Sequence, residues 1–157
     1  MATIRLAASI FEMGHVTSRD RAGIEPIRGA RLFQTTTHLD SRGELTALDQ
    51  DSNLGFELQR VFFIRVNATN VVRAEHSCSA KQMIVVLAGA VTIDLDSGHE
   101  QHTLRLAQGG RALWLSSGVW LRLRNFSGDT LLLVAASTIF ADTIYYNSPQ
   151  PDLISAD

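Results

Sequence analysis

A chain of 157 residues, 45% hydrophobic and 19% charged, is long enough to bury one core without disulfide staples. Its formal net charge of −2 gives no electrostatic reason to bind nucleic acid or an acidic membrane. No run approaches the roughly 20 apolar residues that span a bilayer, and the single cysteine, Cys78, rules out an intrachain disulfide.

Residues 1–28 join a short apolar stretch, Ile4 to Phe11, to a polar segment, His15 to Gly23, that has no clear period. They read as an N-terminal arm, either a partly ordered tail or a segment that pairs with a partner subunit. Glu12 and the lone Arg5 make this a poor signal peptide, so a cytoplasmic location is expected. Residues 29–157 read as one domain. From Ala30 onward the hydrophobic period is two. Leu58 to Val66 is rich in β-branched and aromatic residues, as a strand should be. Val91, Ile93 and Leu95 alternate with Thr92, Asp94 and Asp96 before a Ser97-Gly98 turn. Leu113 to Leu115 and Val119 to Phe126 are separated by Ser116-Ser117-Gly118. Thr130 to Ala136 is a continuous apolar run, expected of a strand buried on both faces. Short strands with turns at this spacing predict an all-β sandwich or barrel.

Two spacings carry more. His76-Ser77-Cys78 is followed after three residues by Gln82 and after six more by Gly89. Gly110 is followed after five residues by Ser116-Ser117-Gly118, after two by Leu121 and after three by Asn125. These resemble the two motifs of cupin barrels, which implies a single jelly-roll β-barrel. Metal-binding cupins place His, His, Glu and His at four of these positions; here they are His76, Cys78, Gln82 and Leu121. Leucine cannot ligate and a neutral amide is a weak donor, so at best two ligands remain where zinc usually takes three or four. No metal is expected.

A narrower resemblance covers roughly Asp40 to Tyr146. Asp40-Ser41-Arg42-Gly43-Glu44-Leu45 is similar to the "D-x-R-G-x-L" of the sugar-nucleotide 3,4-ketoisomerases (the WxcM-like dTDP-4-keto-6-deoxyglucose 3,4-ketoisomerases). Phe56 to Ile64 is similar to their "F-x-I-K-R-V-Y-Y-I", and Arg73-Ala74-Glu75-His76-Ser77-Cys78 to "R-G-x-H-A-H". The stretch Gly89 to Trp120 matches without a gap, and Asp142-Thr143-Ile144-Tyr145 resembles the closing "E-T-D-Y".

The resemblance implies a reaction that moves a ketone from C4 to C3 of a nucleotide-linked deoxysugar through an enediol, with no metal and no redox cofactor. Such chemistry needs a base with a pKa near neutrality and donors aimed at the enolate oxygen. It assigns the base to His76, puts Cys78 where the second histidine stands, and gives Arg60 and Arg73 to the pyrophosphate. Gln82, Phe62 and Leu121 would line the substrate. It also implies a homodimer formed by exchange of an N-terminal strand. The chain departs from the family at Cys78, at Leu121 in place of a late histidine, and at Phe62 and Phe63 in place of two tyrosines. Cys78 is read either as a small core residue or, if its surroundings depress its pKa, as a proton donor. A second register puts Glu75 and Ser77 in the histidine places. Two other readings stay open: a cupin that only binds a nucleotide sugar, and one repurposed for a more apolar metabolite. Trp120 lies on the face opposite Leu121, and Arg122 and Arg124 on its face are expected to meet solvent. Arg42 is expected to serve a turn.

Overall fold

The computed structural model describes residues 23–49 and 54–155. Two antiparallel sheets face each other in a jelly-roll arrangement. The first has six strands in the order β1 (Ile24–Ile27), β2 (Ala30–Gln34), β10 (Arg111–Leu115), β7 (Gln82–Ala88), β12 (Thr130–Ala136) and β5 (Arg60–Val66). The second has five, in the order β13 (Tyr145–Tyr146), β6 (Arg73–Cys78), β11 (Trp120–Arg124), β8 (Ala90–Asp96) and β9 (Gln101–Ala107). A separate hairpin, β3 (Thr36–Asp40) and β4 (Gly43–Ala47), turns where Arg42 pairs with Asp40.

The period of two places the core between the sheets. Val91, Ile93, Leu95, Leu121 and Leu123 of the smaller sheet meet Ile84, Val86, Leu113, Leu115, Leu132 and Val134 of the larger in one buried cluster. Each such side chain contributes about 1.5–3 kcal/mol when taken from water. The larger sheet carries apolar residues on its outer face too. Met83, Val85, Ala112, Trp114 and Ala135 form a second cluster with Leu54, against which Leu48 and Phe56 pack. The Trp114 indole N–H donates to the Leu54 carbonyl at 2.8 Å. This covering chain is why β12 is apolar on both faces, as its sequence predicted.

On the smaller sheet the outer face is polar, with one correction. Arg122 and Arg124 do not simply meet solvent; both close on Asp94, at 2.9 and 2.6 Å, and Thr103 adds its hydroxyl at 2.8 Å. The Arg124 fork, foremost, holds the Asp94 carboxyl far below the usual carboxylate range. Trp120 stands beside them, on the face opposite buried Leu121.

Residues 1–22 of the arm lie outside the described residues. Its last residues form β1, which pairs with β2 of the same chain. Near the other end, Gly118 adopts φ 86° in the turn before β11. Its N–H donates to the Cys78 carbonyl at 2.9 Å, and its carbonyl accepts from Gln150 at 2.9 Å. A side chain there would run into the Gln150 carbonyl, so only glycine lets the C-terminal strap lie against the end of β6.

Candidate active site

β6 carries the histidine motif and is not a regular strand. It pairs His76 with Leu121 and Ala74 with Arg122, leaving Glu75 as an extra residue in a β-bulge. Ala74 and Glu75 both take left-handed backbone, at φ 67° and 60°. Neither is glycine, so each costs on the order of 1–2 kcal/mol. The bulge turns the Ala74 carbonyl toward the His76 ring, where Nδ1 lies 3.1 Å from it. A carbonyl only accepts, so Nδ1 carries the proton and Nε2 keeps its lone pair. Half-burial lowers the His76 pKa, an effect larger than the opposing pull of that hydrogen bond. The result is a neutral imidazole with its basic nitrogen unoccupied by the backbone.

His76 opposes inward-facing Leu121, and Cys78, two residues on, shares its face. Ser77 points the other way and donates to the Ser148 carbonyl at 2.7 Å, while Glu75 is exposed. This settles the register in favour of His76 and Cys78 over Glu75 and Ser77. Cys78 is only 4% exposed, and its thiol reaches the Ala80 carbonyl at 3.6 Å. Burial raises its pKa, against smaller lowering effects from that hydrogen bond and from Arg60. The depression that would make it a ready proton donor is not present; the group is a neutral thiol.

Across the barrel, Arg60 opens β5 in one row with Ala136 of β12 and Gln82 of β7. Its guanidinium lies 4.9 Å over the Phe62 ring and 5.6 Å from that of Phe140. Its Nε and Nη2 are buried and have no hydrogen-bond partner among the described residues. Phe140 in turn leans on Tyr145, with ring centroids 6.2 Å apart. Tyr145 stands edge-to-face with His76 at 4.9 Å and 87°. The cluster therefore runs unbroken from Phe62 through Arg60, Phe140 and Tyr145 to His76, with Cys78 within electrostatic reach of Arg60.

The sequence-derived residues divide accordingly. His76, Cys78, Arg60 and Phe62 come together; Gln82 and Leu121 are buried in the adjoining walls, with Leu121 part of the core. Arg73 does not join them: it opens β6 opposite Leu123, five residues from Cys78, and is exposed. Phe63 faces outward at 61% exposure, so a hydroxyl there would not enter the site. Phe140 and Tyr145 were not singled out from sequence. The one signal was the match of Asp142 to Tyr145 with a family ending, which gave the tyrosine a place and no role.

Among the described residues, no three His, Cys, Asp or Glu side chains come together as metal ligands. A hollow of about 540 Å³ lies elsewhere, on the outer face of the smaller sheet, where Arg122 and Arg124 are already engaged by Asp94. No helix among the described residues is long and apolar enough to cross a membrane.

Comparison with known proteins bears on the fold and the family. Residues 28–152 match the family model described as "FdtA: WxcM-like, C-terminal". The chain is 30% identical over 108 residues to the TDP-4-oxo-6-deoxy-alpha-D-glucose-3,4-oxoisomerase of Aneurinibacillus thermoaerophilus, covering 68% of this chain and 78% of that one. It superposes on the WlaRB TDP-quinovose 3,4-ketoisomerase of Campylobacter jejuni with a TM-score of 0.74 and 26% identity, over 78% of this chain and 95% of that one. The QdtA 3,4-ketoisomerase of Thermoanaerobacterium thermosaccharolyticum, in complex with TDP, gives 0.72 and 26% over 78% and 89%. With its jelly roll, its inward histidine and a family match over most of its length, the chain belongs to the WxcM-like (FdtA) family of cupin-type sugar ketoisomerases.

Proposed function

We propose that this protein isomerises a nucleotide-linked 4-keto-6-deoxyhexose, moving the ketone from C4 to C3 through an enediol in deoxysugar biosynthesis. The relatives just described are TDP-sugar 3,4-ketoisomerases, and one solved relative holds TDP-4-keto-6-deoxyglucose. The observation that carries the reading is the pairing of a neutral His76, its Nε2 available, with an uncompensated Arg60 in one inward cluster.

Removal of the C3 proton requires a neutral base, and His76 has the tautomer for it. The charge that then develops on the sugar oxygen requires a donor already in place. Arg60, clamped between Phe62 and Phe140, has two buried donors with no partner among the described residues; an anionic oxygen of the substrate offsets that cost. Cys78 contributes a neutral thiol on the same wall as His76. Gln82 and Leu121 shape the sides of the pocket, and exposed Arg73 stands outside, where it can meet the nucleotide. The isomerisation balances in atoms and electrons without a metal or redox cofactor, and none is included in the proposal.

We place the protein in the cytoplasm as a homodimer; strand exchange by the N-terminal arm, residues 1–28, would have to lie ahead of β1, whose residues pair with β2 of their own chain. The support is what the chain leaves uncovered. Among the described residues the β3–β4 hairpin pairs with no other strand and exposes Leu39 and Leu45. β5 is an edge strand with Val61 and Phe63 exposed. A two-stranded hairpin is marginal alone, and an apolar edge invites pairing.

Incubation with TDP-4-keto-6-deoxyglucose in D2O, followed by NMR, tests the activity. The expected result is a 3-keto product with deuterium at C4, and at least a 100-fold lower rate for His76→Asn. Binding without any exchange at C3 would replace catalysis with the nucleotide-sugar-binding reading. No binding at all would leave the apolar-metabolite reading.

A further inference from the structure

The polar outer face of the smaller sheet is hollowed. The cavity of about 540 Å³ already noted there is lined by β8, β9, β11 and the C-terminal strap at Asn147 to Pro149. A second cavity, of about 560 Å³, adjoins it and shares Asp96, Gln101 and Pro149 with it. Each falls in the range of about 300–1,000 Å³ that receives a small molecule, and the shared residues make the two one trough.

The charges along this trough cancel. Arg122 and Arg124 are each held by Asp94 through Nε and Nη2, and in return they keep that carboxylate ionised. Asp96 supplies a second carboxylate, whose oxygens accept from the Gly98 N–H at 2.6 Å and from Gln101 Nε2 at 2.8 Å. Two guanidiniums against two carboxylates give a free anion or cation no net attraction.

What the trough does present is a set of oriented hydrogen-bonding groups beside an aromatic plane. Pairing with Asp94 fixes both guanidiniums and leaves Nη1 of each without a partner among the described residues. Trp120 lies half-buried in the same row, and its indole N–H is likewise unpartnered among them. Asn147 adds an exposed amide. A sugar ring matches this combination: its C–H face packs on an aromatic plane, while its hydroxyls both donate and accept. Water already satisfies those hydroxyls, so only groups ordered beforehand bind them at a net gain.

We propose that this outer trough binds a neutral oligosaccharide, with one ring stacked on Trp120 and its hydroxyls held by Arg122, Arg124 and Asn147. The extension past Asp96 gives room for a further sugar unit. The site stands on the face opposite the inward His76 and does not depend on the ketoisomerase reading.

The two tryptophans of the chain allow a direct test. The Trp114 indole N–H is bound to the Leu54 carbonyl on the other sheet, whereas that of Trp120 opens on the trough. The full chain, labelled with 15N, is titrated with neutral trisaccharides built from glucose, galactose, mannose or rhamnose. At least one should move the Trp120 indole signal saturably in the millimolar range and leave that of Trp114 in place. Arg122→Ala should weaken this binding about tenfold, and Asn147→Ala, at an exposed position, should weaken it less. Saturating TDP should change nothing. A Trp120 signal that no trisaccharide moves overturns the proposal. So does one moved only by inorganic phosphate or TDP, which would make the trough an anion site. A signal that shifts with protein concentration alone would make it a contact between copies, and displacement of the trisaccharide by TDP would put the sugar inside the barrel; either result overturns the proposal.

Discussion

Burial lowers the His76 pKa below the ordinary 6.5, because part of its hydration is exchanged for the barrel wall. The acid limb of kcat/KM, which reports the free enzyme's base, should therefore fall below pH 6.5. The same shift makes a statement about stability. Between the lowered folded value and 6.5 the unfolded chain binds the proton and the folded chain does not. This contribution is present in full above 6.5 and is lost as the pH falls through the folded value. A pH–rate profile with its acid limb at or above 6.5 would refute the buried neutral imidazole. At this scale the sequence was informative but incomplete. The spacing from His76 to Gly89 located the base. What set its tautomer was the Ala74 carbonyl, and a left-handed alanine and glutamate have no composition signal as a glycine would. Cys78 illustrates the converse: its identity was plain, and the sign of its pKa shift depended on burial that only the packed barrel provides.

The β6 bulge shows how an element converts local strain into site geometry. Glu75 is exposed and at φ 60°, so glycine there loses no packing and relieves the backbone. Glu75→Gly should raise the unfolding free energy by about 1 kcal/mol in urea denaturation. Ala74→Gly should gain less, because the Ala74 methyl packs against the core and its loss offsets part of the relief. A loss of stability in Glu75→Gly would mean that the left-handed pair is not strained. Strands with one clear inward face, such as β8 and β12, were legible because a period of two survives in their residues. β13 and the strap after it were not: residues 137–155 have no period, and their course is set by pairing with β6 and by Gly118. Phe140 and Tyr145 therefore stayed invisible as site residues although each is a large aromatic near a recognised motif. Arg73 is the opposite case, since its motif neighbour His76 turns inward while the bulge leaves Arg73 outside.

For the whole molecule, the proposed dimer gathers the apolar surfaces exposed among the described residues of one chain. Light scattering on the full chain should return a dimer, and Phe63→Lys on the exposed β5 edge should shift it to monomer. A dimer that survives this change would place the contact away from β5. A chain starting near Arg28 that stays dimeric would remove the arm exchange while leaving the edge contact in place.

The strap across the end of β6 also bears on when the site comes into existence. Arg60, His76 and Tyr145 come from three widely spaced parts of the sequence, and the ties of the strap to Ser77 and Gly118 reach back from residues 148 and 150. β2 must likewise wait for β10, which pairs Gln34 with Arg111. Loop closure on this scale makes folding slow, in the millisecond-to-second range of all-β domains. During synthesis the histidine wall can be complete while its tyrosine neighbour is still inside the ribosome. The chain therefore gains its proposed base, its guanidinium and the aromatic ring beside the base together only in its last steps of folding, and a nascent chain stopped before Tyr145 would hold His76 without that ring.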